Sequence, residues 1–177
     1  MFESISVDGY FCDQAGAMDW AHGAQDPELR AWVAGNARGN GTLLFGRKTY
    51  EMMAGFWPTP AAAAQMPEVA QHMNNATKLV ASRTIAPTWQ NTTRLDGDLL
   101  GAVRALKASP GAGITVLGSG SIAAQLGDAG LVDEYQFVIV PISLGAGRTL
   151  FASRRSLRLV EQRAFPCGNV VVTYASA

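Results

Sequence analysis

Three turns hold the residues of this chain whose types and spacing could do chemistry. The first is Gly46-Arg47-Lys48-Thr49. It follows Thr42 to Phe45, an apolar run of strand length, and opens a helix with Tyr50, Met52 and Met53 to pack. A strand that feeds a helix through a glycine leaves the first helical N–H groups aimed at solvent, which suits an anion. Arg47 and Lys48 add charge there and Thr49 adds a hydroxyl. Cations at a helix N-terminus oppose the macrodipole, so helix stability does not ask for them, whereas a bound phosphate reverses the sign. The competing reading is a basic pair on a solvated helix start.

The second turn, Gly118-Ser119-Gly120-Ser121, follows a strand and leads into Ile122 and Ala123, matching a Gly-x-Gly-x-x-Ala dinucleotide pattern. A Rossmann unit has its ribose-binding acid at the C-terminal end of the next strand. Here Asp133 and Glu134 stand at the start of that strand, so the turn reads as a glycine-lined approach for a cofactor and not as a Rossmann finger. A tight turn that merely needs small residues is the alternative. The third turn, Ser82-Arg83-Thr84, ends another predicted strand. All three fall on the sheet edge where open α/β folds collect ligands. An adenine nucleotide with an extra 2′-phosphate would use such a spread: one cluster for that phosphate, one for the pyrophosphate, one near the reacting ring.

The candidate acids and bases are Asp8, Asp13, Asp19, Asp26 and Glu28. Asp8 either faces a pocket from the end of the first strand or closes an Asp-Gly turn. Asp26 has the position of a helix N-cap, before Pro27 and Glu28. The two histidines, His22 and His72, lack partners at metal spacing and read as loop or surface residues. Zinc deaminase, nucleophile-elbow and P-loop patterns do not occur. A serine hydrolase on Ser119 or Ser121 lacks a histidine placed as its base.

The elements that must position these groups follow from periodicity and turn signals. Strands are expected at Phe2–Val7, Thr42–Phe45, Thr77–Ser82, Thr92–Leu95, Ile114–Leu117 and Asp133–Val140, with Tyr10–Cys12 as a short continuation of the first. Helices are expected from Asp26 to about Gly39, from Arg47, at Ala61–Ala64, Pro67–Met73 and Leu99–Lys107, and from Ile122 to Leu126. Asp13–His22 reads as a loop, Pro141–Gly147 as a turn-rich link, and Leu157–Phe165 with Val170–Tyr174 as a closing antiparallel pair. Strands alternating with helices, then strands alone, give an α/β fold: a mostly parallel sheet with an antiparallel C-terminal edge.

The 177 residues are 48% hydrophobic and 16% charged, with zero formal net charge and a pI near 6.7. One domain over residues 1–177 is expected. The balance excludes a general nucleic-acid or anionic-membrane binder. Cys12 and Cys167 are too few for a disulfide scaffold and read as thiols in a reducing cytosol, with one bridge left open. Neither a signal peptide nor a membrane span is visible, so a soluble cytoplasmic protein is expected. The terminal strands and the apolar run Phe137–Val140 fit a homodimer.

Taken in order, Ser6-Val7-Asp8-Gly9-Tyr10, Met18-Asp19-Trp20, Phe45 to Glu51, Ser82-Arg83-Thr84, Gly118 to Ser121, Gly130 to Glu134 and Pro141 to Gly147 resemble the reductase domain of RibD. More widely they resemble the dihydrofolate reductase superfamily. The resemblance implies a dihydrofolate reductase-like sheet with helices on both faces and NADPH laid across the strand ends. It implies that Gly46, Arg47, Lys48, Thr49, Ser82 and Arg83 hold cofactor phosphates. Gly118, Ser119, Gly120, Ser121 and Ile122 would pass beneath pyrophosphate and nicotinamide, and Phe11, in the loop running to Trp20, would cover the nicotinamide. Asp8 matches the family's Ser-Leu-Asp-Gly motif and is the first candidate for catalysis and substrate contact. Trp20, Asp26 and Glu28 are the other substrate candidates, and the latter two match the pterin-gripping carboxylate equally well.

The activity implied is that of an NADPH-dependent oxidoreductase acting on a small-molecule substrate, such as 5-amino-6-(5-phosphoribosylamino)uracil in riboflavin biosynthesis. The alternative is a non-catalytic nucleotide- or flavin-binding protein on the same fold. Two departures stand out. Val7 replaces the motif's leucine, and Ser119 replaces the second consecutive glycine of folate reductases, which fits the RibD branch better. The deaminase half of a complete RibD is absent from this sequence.

Overall fold

A computed structural model describes residues 1–22, 26–36 and 41–177, with the backbone alone for His22. Its contacts divide the chain into two compact units. One is Arg30–Ser119; the other joins Met1–Leu29 to Gly120–Ala177.

The Arg30–Ser119 unit is built on a four-stranded, all-parallel sheet. Strands β3 (Thr42–Gly46), β4 (Lys78–Ala81), β5 (Thr92–Leu95) and β6 (Ile114–Val116) lie in the order β5-β4-β3-β6. The parallel arrangement requires crossovers. They are made by α2 (Arg47–Phe56), α3 (Pro60–Gln65) and α4 (Pro67–Asn75) before β4, and by α5 (Leu99–Ala108) before β6. Leu43, Phe45, Tyr50, Val69, Met73, Val80 and Trp89 close the core. The Tyr50 hydroxyl accepts from the backbone N–H groups of Thr88 (3.1 Å) and Trp89 (2.9 Å), pinning the β4–β5 connection to α2.

Lys78, the first residue of β4, is fully buried. Its ammonium donates to the carbonyls of Met73 (2.9 Å), Asn74 (3.0 Å) and Ala76 (2.7 Å) and lies 4.5 Å from the centroid of the Trp89 ring. Three donors thus meet three carbonyls at the end of α4, where the macrodipole favours a cation. Burial works the other way and pulls the group down to about 8.

The other unit carries a mixed sheet, β1 (Phe2–Ser6), β7 (Glu134–Val140), β10 (Val170–Ser176) and β9 (Leu157–Ala164), in the order β1-β7-β10-β9. β1 runs parallel to β7; β7, β10 and β9 are antiparallel neighbours. A two-stranded ribbon pairs β2 (Tyr10–Cys12) with β8 (Arg148–Thr149). Here also are the first residues of α1 (Pro27–Asn36) and all of α6 (Gly120–Asp128). Tyr135, Phe137, Phe151 and Tyr174 form an aromatic cluster.

The parallel sheet and the antiparallel C-terminal edge are those expected from sequence. Several boundaries differ by one or two residues, among them the start of α6 at Gly120 in place of Ile122, and there are other local differences. Asp19–His22 is a 3-10 turn inside the expected loop, β8 is a strand too short to show periodicity, and β7 starts at Glu134 instead of Asp133. The C-terminal boundary predicted for α1 falls at residues 37–40, outside the described ones. Phe137, Val138 and Val140 are buried in a strand paired on both sides, so the chain's own core accounts for that apolar run, and it supplies no argument for a homodimer. Cys12 and Cys167 are both free thiols.

Glu3 on β1 is buried, and its Oε2 has no hydrogen-bond partner among the described residues. Burial pushes its carboxyl up from 4.5 to about 8. A raised carboxyl favours the folded state while protonated, and that contribution is lost as pH climbs between the two values. Glu3→Gln is therefore expected to gain on the wild type in melting temperature as pH rises through this window. A gap between the two curves that stays constant with pH would contradict it. For Lys78→Met, three stranded carbonyls predict a loss of about 1–3 kcal/mol, read as a lower urea midpoint at unchanged slope.

Candidate functional site

Parallel pairing decides where the chemistry-bearing turns of the Arg30–Ser119 unit lie. β3 ends at Gly46 opposite Ala81 of β4, and Leu44 of β3 pairs with Val116 of β6. Arg47-Lys48-Thr49, Ser82-Arg83 and Gly118-Ser119 therefore leave the sheet at the same, C-terminal edge. Two of these turns are tied to each other. The Thr49 hydroxyl donates to the Gly118 carbonyl (2.7 Å), and the Gly46 N–H donates to the Ser119 hydroxyl (3.0 Å). Gly118 has φ +56°, and a Cβ on it would lie 3.5 Å from the Thr49 methyl.

Gly46 starts α2 in an extended conformation and offers no side-chain cap, whereas Thr59 caps α3 and Asp98 caps α5. Arg47 is held by Glu51 through 2.9 and 3.0 Å contacts one helical turn on. Lys48 and Arg83 are exposed, and no described residue neutralises either. The Ser82 hydroxyl accepts from the Thr84 and Ile85 N–H groups, which shapes the turn that carries Arg83. Uncapped helical N–H groups and cations on one sheet edge are the chemistry that a candidate anion site requires.

The remaining candidates belong to the other unit. Gly120 opens α6, and Phe11 of β2 lies on it: a Cβ there would come within 2.4 Å of the ring. Phe11 is buried, Ile122 likewise, and Ser121 is exposed. Asp8, at the end of β1, accepts from the hydroxyls of Ser6 (2.6 Å) and Ser143 (2.8 Å). It also accepts from the N–H groups of Leu144 (3.1 and 3.2 Å to its two oxygens) and Gly145 (2.8 Å). These bonds, that of Ser6 foremost, hold its carboxyl far below the usual range.

Asp26 caps α1 through Oδ1, with the N–H groups of Glu28 (2.8 Å) and Leu29 (3.1 Å), while Oδ2 accepts from the N–H of Cys167 (2.9 Å). Those bonds lower its carboxyl. Glu28 is ion-paired with Arg163 of β9. Both carboxylates that could match a pterin-gripping acid are thus engaged by the chain. Trp20 differs: its indole N–H is buried and no described residue accepts from it. It is the one substrate candidate with a donor to spare.

Sequence reasoning overlooked Ser6, Ser143, Leu144 and Gly145 as partners of Asp8, and Glu3 as a buried carboxyl. A signal for the former existed in the Leu-Gly-x-Gly run, because Gly145 has φ +71° and its N–H points inward beside that of Leu144. The pairing itself joins residues 137 positions apart, which no spacing rule reveals.

An α/β fold of this order, with donors collected at one parallel edge, belongs to the dihydrofolate reductase-like class. Residues 1–172 match the model of the RibD C-terminal domain, and the chain belongs to that family. Of known proteins, it is 28% identical over 174 residues to "Uncharacterized protein YyaP" of Bacillus subtilis (strain 168), a match covering 97% of this chain and 90% of the other. Two solved structures share the fold. One is that of a "Putative riboflavin biosynthesis protein" from Shewanella sp. PV-4, with a TM-score of 0.73, 24% identity and coverage of 99% and 97% of the two chains. The other is a pyrimidine reductase-like protein from Corynebacterium diphtheriae, with a TM-score of 0.62, 14% identity and coverage of 99% and 90%.

The contact of Phe11 with Gly120 is a testable constraint. Gly120→Ala is expected to cost about 1–3 kcal/mol by overpacking. Phe11→Leu in the same chain should recover part of it, as thermal denaturation of the two single variants and the double variant would show. Strict additivity would refute the contact.

Proposed function

We propose that the protein is an NADPH-dependent reductase that passes hydride to a C=N or C=O bond of a small heterocyclic or ribosylamino substrate. The observation that carries this reading is the convergence of Lys48, Arg83 and an uncapped helix start on one edge of a parallel sheet, in a chain with no net charge to spare. Such a site fits a phosphorylated ligand, and the 2′-phosphate separates NADPH from NADH.

When bound, NADPH supplies the hydride. Arg47, Lys48, Ser82, Arg83 and the first N–H groups of α2 would hold its phosphates. The Thr49 and Ser119 hydroxyls would keep the Gly46 and Gly118 turns at fixed spacing, since both are already bonded across them. Phe11, Gly120, Ser121 and Ile122 are assigned to the cofactor on the family resemblance. The buried indole N–H of Trp20 is offered to substrate. Asp8, Asp26 and Glu28 are each occupied within the chain, so water is the proton source this reading favours.

Family membership and the names of the two structural neighbours support a substrate resembling 5-amino-6-(5-phosphoribosylamino)uracil. The reading extends to action in the cytoplasm. Titration with NADPH, followed by nicotinamide fluorescence, tests it directly: absence of binding overturns it. Lys48→Ala combined with Arg83→Ala is expected to weaken NADPH by about 10–100-fold and NADH far less, as loss of charge-assisted bonds to one phosphate would. Equal losses for the two cofactors would remove the 2′-phosphate assignment.

A further inference from the structure

We propose that Asp8 is a positioning residue: it fastens the Ser143–Gly145 turn to the end of β1 and, through the β2–β8 ribbon, fixes Phe11 on the first residue of α6. Its consequence for cofactor binding rests on the reductase reading given above; the mechanical linkage does not.

A carboxylate has about four lone-pair sites. Four donor groups surround Asp8: the hydroxyls of Ser6 and Ser143 and the N–H groups of Leu144 and Gly145. The acceptor capacity is full, with nothing left for a substrate proton. The same bonds hold the carboxyl ionised, which removes it as an acid. Gly145, at φ +71°, lets its N–H and that of Leu144 converge on one anion.

The rest of the linkage is close contact inside one unit. The N–H of Val7 donates to the Ile142 carbonyl at 2.9 Å, and the N–H of Tyr10 donates to the Ser6 hydroxyl at 3.0 Å. The Asp8 turn and the 143–145 turn therefore run directly into the two ribbon strands. Tyr10 pairs with Thr149 and Cys12 with Arg148. Between them Gly147 fits so tightly that a Cβ would stand 2.1 Å from the Cys12 carbonyl oxygen and 3.1 Å from the Tyr10 side chain. The register shifts between Tyr10 and Cys12, so Phe11 is the bulged residue between two paired ones, held in place by the close approach of Gly147, with its ring over Gly120. Release of the Asp8 turn would free the ribbon register and with it the ring.

Native-state hydrogen exchange on the protein alone reads the linkage without any cofactor. Asp8→Asn places an amide N–H₂ among donors, so residues 10–12 and 143–149 are expected to exchange at least about tenfold faster. Gly145→Ala has open space for its methyl but a strained φ, and it should loosen the same two segments. Ser143→Ala, with three of four donors kept, should loosen them less. These two variants keep the test decisive should Asp8→Asn fail to fold. In turnover, Asp8→Asn is expected to raise the NADPH KM by about tenfold and leave the shape of the kcat–pH profile as in the wild type. Unchanged exchange in the Gly145 and Ser143 variants overturns the proposal. So does an Asp8→Asn protein that keeps its exchange pattern and cofactor affinity but loses one limb of the pH profile. If the wild type binds no NADPH, the reductase reading falls, and the exchange results alone decide the linkage.

Discussion

Parallel pairing is the constraint on which the candidate anion site depends. A strand that runs parallel to its neighbour must be reached by a crossover, so every strand of the β5-β4-β3-β6 sheet ends on the same edge and begins on the opposite one. Donors placed after strands then accumulate without any long-range recognition between them. The ends of β3, β4 and β6 contribute a basic helix start, a hydroxyl–guanidinium turn and a glycine turn. The opposite edge is served differently. There Lys78 stands at the start of β4 and is spent wholly on the carbonyls ending α4. Two lysines in one unit thus have opposite fates: Lys48 follows a strand and meets solvent, while Lys78 begins one and meets a helix end.

That logic explains what the sequence disclosed. Strand and helix positions, the parallel core and the shared edge of Arg47–Thr49, Ser82–Arg83 and Gly118–Ser119 follow from short-range signals: apolar runs, glycines after them, and the direction that alternation of strands and helices imposes. The N-cap at Asp26 was legible for the same reason, because its partners at Glu28 and Leu29 are local. Asp8 was legible as a special residue but not in its role. A carboxylate at a strand end looks the same in a pocket as in a nest of N–H groups, and the nest comes from a turn near the other end of the chain. Asp26 and Glu28, equal candidates from sequence, are both engaged by contacts of this kind too, with Cys167 and Arg163. β8 escaped because two residues cannot display a period.

Polar groups buried without a partner point in the same direction as the charges. A folded chain leaves few such groups, and each calls for a reason. Trp20 and Glu3 present the two opposite cases. The Trp20 indole is a neutral donor whose desolvation is tolerable and which a ligand acceptor would satisfy. Glu3 is a carboxyl that burial keeps protonated near neutral pH, so its cost is met by giving up charge. The first group retains a hydrogen that no described residue accepts; the second has given up its charge.

Neutrality sharpens the meaning of the exposed cations. With 14 basic and 14 acidic residues, the chain has no overall field to draw a phosphate towards it. A local excess of positive charge can arise only if acids are neutralised by other groups. Arg94 pairs with Asp96, Arg155 with Asp128 and Arg163 with Glu28, and Asp8 and Asp26 are bonded by backbone N–H groups. At the C-terminal edge of the parallel sheet Glu51 holds Arg47, and Asp96, which follows β5, is held by Arg94. No described residue compensates Lys48 or Arg83, which follow strands ending at this edge, and the dipole of α2 opposes cations at its start. That repulsion brings the fold no gain in stability.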